Sequence, residues 1–260
     1  MSSKFLDRLD TIREGAPASM GFGPARSEKT PGMALVLLVS SKHKTGAAAA
    51  SGLSPDAVMV SGMSGPAKVG ELKETLSDVI WGVRAGALSS EDAQAYRDSG
   101  CDLLAFELQG TSLGAVYSED STRVLCVDPD TAAEDLRDIN ALPVDIVLVP
   151  FPGASAAWTL EDLSRVTKVS GRMGKYVLAE ISQAPDTEAL KVLRNAGIIG
   201  LVLDVSAGAD AIKGLRSALM DMPRAGSDRS AGRSTAILPG AIYAAAGPPA
   251  SEPDEDDDDE

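Results

Sequence analysis

The chain has 260 residues, 44% of them hydrophobic and only 4% aromatic, which suits one large domain or two small ones with an aliphatic core. Its net charge of −14 is gathered at one end: residues 251–260, SEPDEDDDDE, carry eight acidic groups and no basic one. The other 250 residues hold 30 acidic against 24 basic groups, so the body lacks the basic stripe that nucleic acid requires, and two cysteines are too few for a disulfide scaffold.

Residues 1–32 form an N-terminal extension. The opening MSSKFLDRLDTIREG has acidic residues and no long apolar stretch, so it does not read as a signal peptide. Residues 4–14 predict a short amphipathic helix with Phe5, Leu9 and Ile12 on one side. That helix would either lid the N-terminal end of the domain or contact another copy. PASMGFGPARSEKTPG, rich in Gly and Pro, follows as an irregular segment.

From residue 33 a beat begins. Short apolar runs recur at 33–39, 56–62, 80–86, 102–108, 123–129, 145–151, 176–182 and 200–206. Most spacings are close to 22 residues, and the step from the sixth run to the seventh is 31. The runs are nearly continuous rather than alternating, as strands covered on both faces are. The longest, MALVLLV, falls far short of the ~20 residues a membrane span needs. Soluble, cytoplasmic residence is the expectation.

Helical patterns with caps lie between the runs. Val69, Leu72, Leu76 and Val79 share a face. Ser89 precedes an acidic first turn, and Gly100 ends that helix. Thr131 with Glu134, and Thr159 with Asp162, have capping-box spacing. Asp186 opens TEALKVLRNAG, which Gly197 stops, and Ile212, Leu215 and Leu219 mark the last helix. KTGAAAASGL and TSLGAVYSEDS promise weaker helices after the first and fourth runs.

Alternating strands and helices imply a parallel sheet. An open doubly wound sheet usually has fewer strands, and its dinucleotide-binding form carries a G-x-G-x-x-G loop after the first strand. Ser40-Ser41-Lys42-His43-Lys44 stands there instead. Eight even units fit a closed (β/α)8 barrel over residues 33–222. Residues 223–260 turn to Gly, Ser, Pro, Ala and charge and read as a disordered acidic tail, with STAILPGAIY at 234–243 as an exception in composition.

In such a barrel the site lies at the C-terminal ends of the strands. Arg84, Glu107, Glu180 and Asp204 each interrupt or close an apolar run, and an unpaired buried charge costs at least ~2–3 kcal/mol. They should pair with one another, reach water at the mouth, or meet a ligand. The ligand reading makes all four candidate catalytic residues. A carboxylate could act as general base beside a cation holding an anion, or two or three carboxylates could hold Mg²⁺ or Mn²⁺. The structural reading is an ion-pair ring. Ser206 and Gly208, at the start of the last helix, are the candidate phosphate-binding residues. His43, the single histidine, sits between two lysines and reads as a surface residue, and Lys42 as an exposed one. There is no G-x-S-x-G, P-loop or C-x-x-C motif, and the sequence names neither cofactor nor metal.

The stretch YVLAEISQAPDTEALKVLRNAGIIGLVLDVS resembles the phosphate-binding group of (β/α)8 barrels, and within it the indole-glycerol-phosphate synthase type. The resemblance implies the barrel fold and a catalytic role for the strand-borne Glu180. That family's next strand ends in Asn-Asn-Arg, where Asp204-Val205-Ser206 stands here, which argues against the same reaction. Arg84 and the later carboxylates are similar in type to those of metal-dependent barrel aldolases and lyases. The whole chain resembles uncharacterised bacterial barrel proteins.

Two functions follow as expectations. One is a barrel enzyme doing lyase-, aldolase- or isomerase-like acid–base chemistry on a small anionic metabolite. The other is a non-catalytic binding or assembly module acting through its termini, with the acidic tail as a handle for a basic protein. A flavin-dependent barrel is a third, lesser reading.

Overall fold

The computed structural model describes residues 3–14, 29–41, 44–63, 65–66, 69–118, 120–151 and 158–222. Eight strands, β1 (Ala34–Ser40), β2 (Ala57–Ser61), β3 (Trp81–Arg84), β4 (Leu103–Glu107), β5 (Thr122–Cys126), β6 (Ile146–Phe151), β7 (Tyr176–Ile181) and β8 (Ile198–Asp204), pair in parallel and in chain order. β8 returns to β1, with Val202 opposite Val36, and closes the barrel. Each apolar run of the sequence starts within two residues of its strand. The acidic tail, the 234–243 segment, Lys42 and His43 lie outside the described residues.

The nine helices of the described residues are α1 (Lys4–Glu14), α2 (Lys44–Ser51), α3 (Val69–Thr75), α4 (Ser90–Asp98), α5 (Leu113–Val116), α6 (Ala133–Ala141), α7 (Leu160–Ser170), α8 (Thr187–Asn195) and α9 (Ala209–Asp221). Their caps follow from side-chain chemistry. Ser89 Oγ accepts the Asp92 amide at 3.0 Å and Asp186 accepts that of Ala189 at 2.7 Å. Thr159 and Asp162 exchange both bonds of a capping box, which lowers the Asp162 pKa. Gly100 and Gly197 end α4 and α8 at φ +90° and +96°. The box expected at Thr131 does not form. Its hydroxyl donates instead to the Asp128 carbonyl at 2.7 Å, and Ala132 takes the N-cap position without a side-chain bond. Asp128 has already folded that loop by accepting the Asp130 amide, so Thr131 completes a turn rather than a helix start.

The strand period of two divides the core. Leu35, Leu37 and Val39 of β1, Val58 and Val60 of β2, and their equivalents pack outward against the helices. The other parity, including Val36, Met59, Ala105, Val124, Leu148, Leu178 and Val202, fills the barrel and clusters with Phe5, Leu9 and Ile12. α1 therefore plugs the N-terminal end, the first of the two roles its sequence allows. Gly82, of the inward parity on β3, is required there because a Cβ would stand 2.2 Å from the Leu103 carbonyl oxygen.

Polar contacts fix the plug. Asp102 accepts the amides of Lys4 and Phe5 at 3.0 and 2.8 Å and the Ser3 hydroxyl at 2.6 Å. Asp56, its side chain 1% exposed, accepts Arg8 at 2.8 Å, Arg216 at 2.7 Å and the Leu35 amide at 2.8 Å. Tyr176 donates its hydroxyl to Asp10, and burial with that bond raises the Tyr176 pKa. Among the described residues no helix is long and apolar enough to cross a membrane.

Candidate functional site at the barrel mouth

Register decides which strand-end charges face inward. Arg84 lies two residues after Gly82, Glu107 two after Ala105, Cys126 two after Val124, Glu180 two after Leu178 and Asp204 two after Val202. All five thus share the parity of the barrel interior, one layer above its apolar filling.

β3 and β7 stand four strands apart in a ring of eight, on opposite walls. Arg84 Nη1 nevertheless donates to Glu180 Oε2 at 2.7 Å, so the pair bridges the barrel axis. Side-chain exposures of 26% and 23% leave both within reach of water. Cys126 on β5 lies beside them. Burial pushes its thiol up to about 11, Arg84 opposes the rise, and Glu180 and Glu107 add to it. Glu107, opposite Cys126 in the β4–β5 register, is exposed.

Asp204 is drawn elsewhere. Its Oδ1 accepts the Ser206 amide at 2.7 Å and caps a 3-10 turn over Val205–Ala207. Gly208, at φ +93° and ψ 147°, links that turn to α9, and its amide donates to the Val205 carbonyl at 3.1 Å. The structure thus brings Arg84, Glu180, Glu107 and Cys126 together and sets Asp204 against Ser206. The ion-pair alternative describes Arg84 and Glu180. Among the described residues no three potential ligands from His, Cys, Asp and Glu converge in a way that could hold a metal.

Cys126 is the mouth residue that sequence reasoning missed. In the apolar run RVLCVDP a cysteine looks like core, and the usable signal was only its position at the strand end, level with Glu107. The described residues also form clefts. One of about 700 Å³ opens at the plugged end, beside Arg13, Tyr176 and Arg194. Another of about 460 Å³ lies along α6, lined by Leu108, Cys126, Asp128, Asp135 and Asp138.

No protein-family model matches this chain, and no curated protein does either. Solved structures do. A mutant tryptophan synthase α-subunit from Pyrococcus furiosus superposes with a TM-score of 0.55 at 13% identity, covering 73% of this chain and 97% of that one. The likeness is one of fold. Tryptophan synthase from M. tuberculosis matches with 0.57 at 12% identity, over 84% of this chain and 98% of that one. Thiamine phosphate pyrophosphorylase from Pyrococcus furiosus matches with 0.54 at 11%, over 73% and 96%. These are (β/α)8 barrels, as this chain is.

Proposed function

We propose that the mouth is an active site for acid–base chemistry, of the lyase, aldolase or isomerase kind, on a small anionic metabolite. One observation carries the reading: Arg84 and Glu180, from opposite walls, meet across the axis at 2.7 Å where substrate enters a barrel. A substrate anion that engages the guanidinium competes with Glu180 for it. The released carboxylate then stands free beside the bound molecule, where a general base acts. Glu180 then returns the proton it has taken to the product or to water, and Glu107 is a second carboxylate at the same mouth. Several structural neighbours bear enzyme names, which agrees with this use of the fold.

The rival reading, a module that binds through its termini, loses one terminus: the apolar side of α1 is buried in the barrel's own base. The test is proton exchange. Full-length protein is incubated in D2O with small carboxylic and phosphorylated metabolites, and C–H exchange is followed by NMR. Exchange should vanish in E180Q and need more substrate in R84Q. Exchange with no compound, or exchange indifferent to E180Q, removes the proposal.

A further inference from the structure

We infer that the anion taken at this mouth is a carboxylate and not a phosphate ester, an inference that rests on the functional reading above. Phosphate in (β/α)8 barrels is commonly gripped by the loops after the seventh and eighth strands and by a helix N-terminus, through free backbone amides. Here the protein's own oxygens occupy several such amides, although no side chain caps the N-terminus of α9 itself. Ser206 donates to Asp204 at 2.7 Å and Gly208 to the Val205 carbonyl at 3.1 Å. In the loop after β7, the Ala189 amide at the start of α8 donates to Asp186 at 2.7 Å. Asp210 adds a further negative charge in the first turn of α9.

The charge balance points the same way. Among the described inward-facing strand-end residues Arg84 is the one cation, against Glu107, Glu180 and Asp204. Arg84 already donates one Nη1 bond to Glu180. A carboxylate brings one negative charge and a planar edge that fits what remains of the guanidinium fork. A phosphate monoester brings roughly −1.5 to −2, more than the one cation among these described strand-end residues balances.

The experiment is calorimetric and thermal-shift titration of full-length protein with succinate, glutarate, inorganic phosphate and glycerol phosphate. A dicarboxylate should bind at least tenfold tighter than either phosphate, and R84Q should abolish its binding. The double variant D204N/D210N keeps a capping oxygen at residue 204 while removing two charges, and should strengthen phosphate binding about tenfold. Phosphate binding as tightly as carboxylate, and lost in R84Q, overturns the inference while leaving an anion-binding mouth. Binding of neither class overturns both the inference and the anionic-substrate reading. A phosphate affinity unchanged in D204N/D210N overturns the argument from charge.

Discussion

Replacing Asp56 with alanine should loosen the base of the barrel before it touches the mouth. Asp56 has a side chain 1% exposed and satisfies Arg8, Arg216 and the Leu35 amide together. Removing one partner of a buried ion pair costs about 3–5 kcal/mol. The two guanidiniums keep 31% and 20% exposure and can turn toward water, which places their share at the lower end. Leu35 is fully buried, and its orphaned amide adds about 1–3 kcal/mol of desolvation, so a total near 4 kcal/mol is reasonable. For a domain of this size that lowers Tm by roughly 8–16 °C. Urea and thermal unfolding of D56A against native protein measure it. Hydrogen exchange localises it, because α1 loses its Arg8 anchor and its amides should exchange first. A loss under about 1 kcal/mol with α1 protection intact would refute the reasoning, since no buried pair of this kind would then be holding the plug.

Other outcomes can be measured in the same preparations. Leu9→Ala removes a fully buried side chain from the plug and should cost about 2–5 kcal/mol by urea unfolding. Gly208→Ala meets no atom within 4 Å, so its expected loss of about 1–3 kcal/mol comes from backbone conformation alone. Gly82→Ala should be far worse and yield little folded protein, because the new Cβ collides with the backbone of β4. The Cys126 thiol, raised to about 11 in the fold, is protonated in both states at neutral pH. The unfolded thiol ionises first as pH rises, so native stability should fall relative to C126S from roughly pH 8.5 upward, and stay parallel below it. Alkylation of Cys126 should be slow at pH 7 and rise toward pH 11; a rate profile centred near pH 8.5 would contradict the buried setting.

The barrel was legible because its signal is repeated. Eight aliphatic runs with helices between them leave few architectures, and caps at Ser89, Thr159 and Asp186 depend on neighbours three residues away. Thr131 has the same local pattern, yet Asp128 had already turned the loop, a contest that spacing cannot foresee. At the site, candidate residues could be read because charges interrupt apolar runs. Their partnership could not. Arg84 and Glu180 are 96 residues apart in sequence, and only barrel closure sets β3 across from β7. Continuous apolar strands also hide which parity faces inward, so the run RVLCVDP does not show that Cys126 stands at the mouth.

Asp56 joins three distant parts of the chain: Arg8 near its beginning, the β1 amide of Leu35, and Arg216 on the last helix of the barrel. A nascent chain emerging from the ribosome therefore presents Phe5, Leu9 and Ile12 long before β8 and α9 exist to complete their binding partner. During that interval the apolar side of the first helix lacks the strands it packs against in the folded barrel. Fragments ending before residue 216 lose the Arg216–Asp56 ion pair that helps hold this base together.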